Sequence, residues 1–187
     1  MSKNTIPKVL VVAGPNGSGK STVTSKLPTC GIYINTDDIK KRQGCSDIEA
    51  AIAAEALREQ CVELKLDFTF ETVLSTERNL NLLKRAKESG YHIESIFVLT
   101  SDENINVDRV CYRFVTGGHD VPEEKIRSRF KKSLTNLPEL INLSDVCTVI
   151  DNTQCYETIF EKVNESFEIY ENQFWSYNEI AKLTGII

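Results

Sequence analysis

Residues 14–22 read Gly-Pro-Asn-Gly-Ser-Gly-Lys-Ser-Thr and stand directly behind the apolar run Val9–Ala13. A loop of the form G-x-x-x-x-G-K-[ST] works only between a buried strand and a helix N-terminus, so this context fixes a strand–loop–helix unit near the start of the chain. Its glycines let the backbone wrap closely, with successive N–H groups turned into the hollow. The helix that follows offers its positive dipole end to the same anion. The motif therefore predicts a nucleoside triphosphate site built from Gly14, Pro15, Asn16, Gly17, Ser18, Gly19, Lys20, Ser21 and Thr22. Lys20 would bridge the outer phosphates, and the Ser21 hydroxyl is placed to ligate Mg²⁺.

Apolar runs and helical patterns alternate behind the loop. Strands are expected at 8–13, 32–35, 67–71, 93–99 and 146–150, and helices at 20–27, 47–65, 77–89, 103–115, 122–140 and 155–170, with a last helix near 176–184. This alternation is that of an α/β protein: a P-loop NTPase/kinase-like fold with a five-stranded parallel sheet, helices on both faces and a helical lid at about 103–135. Ser46-x-x-Glu49 is a capping box, Asp120-x-Pro122-Glu123 reads as a further helix start, and Gly90 closes the helix from Glu77. No linker or repeat divides the 187 residues, so one domain is expected, with the aromatic tail from Glu171 packing back on it.

Composition narrows the partners. A net charge of −5 argues against a nucleic-acid binder that relies on a basic face. Six cysteines without a C-x-x-C pair, beside only two histidines, give no zinc site and suit buried thiols in a reducing cytosol. The N-terminus lacks the apolar core of a signal peptide and no run reaches membrane-spanning length, so a cytoplasmic protein without a membrane partner is expected.

Transporter-type ATPases share the loop text, but the chain lacks their signature sequence and any strand ending in Asp-Glu. A small kinase fits better, because such an enzyme needs a base, acceptor contacts, cations and a cover, and each has a candidate here. Asp37 and Asp38 stand at the carboxyl end of the second strand, where ligands of such sheets gather. Asp37 is read as the base for a small-molecule hydroxyl acceptor, and Asp38 as the cap of a helix opening at Ile39. Glu71 and Thr72 leave the third strand as acceptor contacts. Glu55 and Glu59 fall within an apolar helical stripe, where Glu55 serves either as a ligand or as a salt-bridge partner. The cationic cover comprises Arg109, Arg113, Arg127 and Arg129 around a hinge at Gly117-Gly118, with His119 binding phosphate or capping a helix. Asn152, behind the last strand, is a candidate adenine contact.

The phosphate loop, Asn35-Thr36-Asp37-Asp38-Ile39, Phe70-Glu71-Thr72-Val73-Leu74-Ser75, and the segment from Arg113 through Gly-Gly-His-Asp-Val-Pro to Ser133-Leu134-Thr135-Asn136-Leu137 together resemble the zeta-toxin family, in particular its small, compact bacterial branch. The resemblance covers residues 8 to 152 and implies a P-loop kinase using ATP and Mg²⁺. The larger zeta toxins phosphorylate the amino sugar of UDP-N-acetylglucosamine and are held inactive by a cognate antitoxin. By position, the family's catalytic aspartate falls on Asp37, its substrate-holding glutamate on Glu55, and its lid arginines on Arg113 and the region from His119 to Arg129. The segment between Arg113 and Pro122 is shorter here than in the larger toxins. A kinase of another metabolite, or of a nucleic-acid end, and a non-catalytic ATP-binding partner module are the rival readings.

Overall fold

The computed structural model describes residues 6–116 and 121–186. β1 (Lys8–Ala13) runs through the glycine loop into α1 (Lys20–Thr24), followed by β2 (Ile32–Ile34), α2 (Thr36–Gln43), α3 (Asp47–Leu64), β3 (Phe68–Thr72), α4 (Arg78–Glu88) and β4 (His92–Leu99). Next come α5 (Glu103–Val115), α6 (Glu123–Thr135), α7 (Leu137–Leu143), β5 (Val146–Asp151), β6 (Glu157–Val163), β7 (Ser166–Ile169) and α8 (Tyr177–Thr184). Among the described residues the strands form one seven-stranded sheet in the order β2-β3-β1-β4-β5-β6-β7. The pairs from β2 to β5 are parallel, whereas β6 and β7 add an antiparallel edge.

The five expected strands are all present, and the sheet is two strands wider than the sequence reading allowed. The helix expected over 155–170 is instead the β6–β7 hairpin. Val163 pairs with Ser166, which leaves Asn164-Glu165 as a two-residue turn, and Asn164 takes a left-handed φ of 54°. Such tight turns need positive φ, which asparagine tolerates better than most residues. The expected helix 122–140 is also two helices, α6 and α7. Pro138 lies in the first turn of α7, where its missing N–H is harmless; inside a continuous helix its ring would clash with the carbonyl four residues back.

Three parallel strands place the site. β1 lies between β3 and β4, and Ala13 at its end pairs with Thr72 at the end of β3. Ile34, the last residue of β2, pairs with Phe70 on the other side of β3. The phosphate loop, the exit of β3 and the start of α2 thus share one edge of the sheet, the carboxyl edge where α/β proteins bind ligands. Val9, Val11, Phe68, Phe70, Ile93, Phe97 and Val149 are fully buried beneath that edge. The tail packs back as expected: Ile180 and Ala181 are fully buried and Trp175 packs against the core.

Candidate active site

The loop after β1 is held from three sides. A Cβ on Gly14 (φ +139°) would lie 2.0 Å from the Val98 carbonyl oxygen, and one on Gly19 (φ +102°) would lie 2.5 Å from Asn152 Nδ2. Only glycine satisfies both the backbone angle and the approach at these positions. The Asn152 amide donates to the Ser18 carbonyl at 2.7 Å, Asn106 Nδ2 donates to the Asn16 carbonyl, and the Tyr156 hydroxyl donates to the Gly19 carbonyl at 3.2 Å. Outward-facing carbonyls are thereby satisfied from behind, which leaves the N–H side of the loop for an anion.

Lys20 is half-buried and donates to the Pro15 carbonyl at 2.7 Å. Burial in the loop pushes its ammonium down to about 8; the Glu71 carboxylate opposes this shift and the Arg113 guanidinium adds to it. Arg113 is exposed on α5. Next to Lys20, the Ser21 hydroxyl donates to Glu71 Oε2 at 3.1 Å. The other oxygen, Glu71 Oε1, accepts the Tyr33 hydroxyl at 2.7 Å. Glu71, expected among the acceptor contacts, is thus the carboxylate that meets the loop serine. A serine hydroxyl and one carboxylate are hard oxygen donors, and Mg²⁺ typically takes one or two carboxylates together with water and substrate phosphates. The Ser21–Glu71 pair fits that ion.

Asn35 caps α2. Its side-chain oxygen accepts the backbone N–H groups of Asp37 and Asp38 at 2.8 and 3.2 Å. Sequence reasoning had the helix opening at Ile39 with Asp38 as its cap; the helix opens at Thr36, and the cap is the asparagine before it, a residue type strongly preferred there. Both aspartates sit in the first turn. The Asp37 side chain is exposed and makes no hydrogen bond or ion pair with the described residues. Asp38 is half-buried. Burial first, and then donation to Glu71, push the Tyr33 hydroxyl above its ordinary range, with the charges of Glu71 and Asp38 adding to the effect.

Other expected contacts lie differently. The Thr72 hydroxyl is buried and accepts from the Leu74 N–H at 2.9 Å and Asn79 Nδ2 at 2.7 Å, so it fixes the turn after β3 instead of facing an acceptor. Asn152 is committed to the Ser18 carbonyl rather than to a base. Glu55 pairs with Arg78 at 3.5 Å, which realises the salt-bridge alternative. Arg127 bonds Glu123 and Glu103 and straps α6 to α5. Arg129 is half-buried on α6 and makes no ion pair with the described residues. His119 and the Gly117-Gly118 hinge lie outside the described residues. Sequence reasoning assigned no role to Tyr33, Asn106 or Tyr156. Asn35 carried a readable signal as a capping type before a helix, whereas the other three show their roles only through contacts distant in the chain.

A family model described as Zeta toxin matches residues 1–173. The chain belongs to the zeta toxin family. By that membership it is a phosphotransferase on a P-loop kinase fold. An uncharacterized protein of Haemophilus influenzae is 29% identical over 129 residues, covering 66% of this chain and 92% of that protein. Among solved structures, the crystal structure of AvrRxo1-ORF1:-ORF2 with ATP contains a chain that superposes with a TM-score of 0.71 at 15% identity. The match covers 97% of this zeta toxin family chain and 64% of that one, so the present chain spans just under two thirds of its length. A structure of the PezAT chromosomal toxin–antitoxin system of Streptococcus pneumoniae superposes with a TM-score of 0.59 at 16% identity, over 99% of this chain and 85% of that one. At these identities the superpositions speak to fold.

Proposed function

We propose that this chain transfers the γ-phosphoryl group of ATP to a hydroxyl of UDP-N-acetylglucosamine or a similar sugar nucleotide, and that it acts in the cytoplasm as the toxin of a pair held inactive by a cognate antitoxin. Family membership supports the kinase and toxin parts. The likeness in fold to the AvrRxo1-ORF1:-ORF2 complex with ATP and to the PezAT toxin–antitoxin system supports the nucleotide and the protein partner. The observation that carries the chemistry is the grouping of a serine–carboxylate pair at the phosphate loop with an unpaired aspartate on the same edge of the sheet.

The loop N–H groups receive the phosphates, and Lys20 exchanges the Pro15 carbonyl for a phosphate oxygen. Ser21 and Glu71 would hold Mg²⁺, which when bound neutralises charge on the phosphate oxygens. Asp37 accepts the proton of the acceptor hydroxyl as its oxygen bonds to the γ-phosphorus and the bond to the bridging oxygen of ADP breaks. Arg113, with Arg129 and His119 from the lid, balances the charge on the moving group. Arg109 closes the nucleotide side: Nη2 donates to the Thr153 carbonyl at 3.1 Å, and Nη1 is buried without a partner among the described residues.

The direct test is incubation with ATP, Mg²⁺ and a panel of UDP-sugars. The Asp37→Ala variant is expected to lose about 10²-fold or more in turnover while keeping its ATP affinity within twofold. Transfer at the wild-type rate by that variant would remove Asp37 from the mechanism. Because Glu55 is held by Arg78, a different hydroxyl acceptor is the second reading. Mass analysis of a metabolite extract treated with labelled ATP separates the two.

A further inference from the structure

Glu71 is joined to the head of α2 by an unbroken run of side chains. Ser21 donates to Glu71 Oε2, the Tyr33 hydroxyl donates to Glu71 Oε1 at 2.7 Å, and Asn35 Nδ2 donates to the Tyr33 oxygen at 2.9 Å. The other end of the Asn35 amide, Oδ1, accepts the N–H groups of Asp37 and Asp38. The amide orientation is fixed by this double acceptance, because turning it over would set Nδ2 against two donors. Tyr33 is thereby both donor and acceptor and has no freedom to rotate its proton elsewhere. A half-buried tyrosine needs only one partner or water; here one partner, Glu71, lies on β3 and the other, Asn35, is the N-cap of α2.

We propose that Tyr33 is a positioning residue that couples the carboxylate facing the loop serine to the helix carrying Asp37, so that filling the phosphate loop with nucleotide and Mg²⁺ sets the acceptor side of the site. Any movement of Glu71 as Ser21 turns its oxygen toward a cation changes the Tyr33 hydrogen bond. Through Asn35 that change reaches the N–H groups of residues 37 and 38. The proposal rests on the kinase reading for the role of Asp37, but its readout needs no acceptor.

The test uses the full chain with a non-hydrolysable ATP analogue bound, titrated with Mg²⁺ and followed by the amide resonances of Asp37 and Asp38. In the wild type both resonances shift on adding Mg²⁺. In Tyr33→Phe, which keeps the ring and removes only the hydroxyl, the shifts fall below about one fifth of the wild-type size. The gain in analogue affinity conferred by Mg²⁺ also drops, by about fivefold, which is the scale of a single charge-assisted hydrogen bond. Equal shifts and an equal gain in the two proteins would overturn the coupling. Failure of every UDP-sugar as acceptor, with the shifts still lost in Tyr33→Phe, would reject the substrate and leave Tyr33 in place.

Discussion

Lys20 shows how the loop prepares for its ligand. Its ammonium is buried in the loop and donates to the Pro15 carbonyl, so burial pushes its pKa down to about 8, with Glu71 resisting and Arg113 pressing the same way. A bound triphosphate favours the charged form and raises that value again. Since the free protein's value lies below the ordinary lysine range, nucleotide affinity is full below about pH 8 and falls as pH rises through it, by up to tenfold per unit. Fluorescent ATP-analogue titrations between pH 7 and 9.5 read this directly. Lys20→Arg, whose guanidinium stays charged throughout, is expected to give a flat profile. A flat profile in the wild type would contradict the burial of the ammonium. The same depression has the opposite consequence for folding: the native state holds fewer protons than the unfolded chain between about pH 8 and the usual lysine value, so stability rises with pH across that window.

At the scale of elements, the β6–β7 hairpin closes the sheet and supports a helix. The Asn164 N–H donates to the Asp145 carbonyl. Lys162 reaches the Ile141 and Ser144 carbonyls at 2.8 and 2.9 Å and satisfies the end of α7. Asn164→Ala places an ordinary side chain at positive φ and is expected to destabilise the fold by about 1 kcal/mol, whereas Asn164→Gly is expected to be close to neutral. Thermal unfolding of the two variants side by side checks the left-handed turn, because any other backbone there reverses their order. The same hairpin marks the limit of what the sequence disclosed. Val9–Ala13 of β1 and Ile96–Leu99 of β4 are continuous apolar runs, β3 alternates Phe68 and Phe70 with polar residues, and the phosphate loop announces its own strand and helix, so the parallel half was legible from local pattern. The segment 157–169 mixes β-branched and aromatic residues with charges at helical spacing, and only pairing with β5, distant in sequence, decides its state. The site divides likewise. Lys20 and Ser21 are set by the strand–loop–helix unit that the motif fixes, and Asp37 by the first turn of α2 just after β2. Thr72 and Asn152 also stand at strand ends, yet their polar groups are claimed by Leu74, Asn79 and Ser18 through a turn and a loop approach that no local spacing reveals.

The whole molecule is a seven-stranded sheet with its own core, and a helical lid that carries a second, small core. Val107, Val110 and Ile126 are buried together with Val121 against them, apart from the main core, so α5 and α6 pack on each other as a unit. Arg127 reinforces that unit by reaching Glu103 at the start of α5 while also bonding Glu123 on its own helix. The base of α5 is tied to the nucleotide side, through Asn106 to the Asn16 carbonyl and through Arg109 to the Thr153 carbonyl. Its far end is solvent-exposed, with Tyr112 at 74% and Val115 at 82% accessibility, and Arg113 lies in that last turn. Arg127 therefore joins α5 to α6, whereas Arg113 is the arginine to which the proposed mechanism gives the moving phosphoryl group. Arg113→Ala is expected to lower turnover about 10²-fold or more with little change in unfolding temperature. Arg127→Ala is expected to lower the unfolding temperature while turnover stays within threefold, since its partners are carboxylates of the lid itself. Steady-state transfer and thermal unfolding measured on both variants decide the assignment. A larger loss of turnover in Arg127→Ala than in Arg113→Ala would exchange their roles and require the lid to reorganise before it reaches the phosphates.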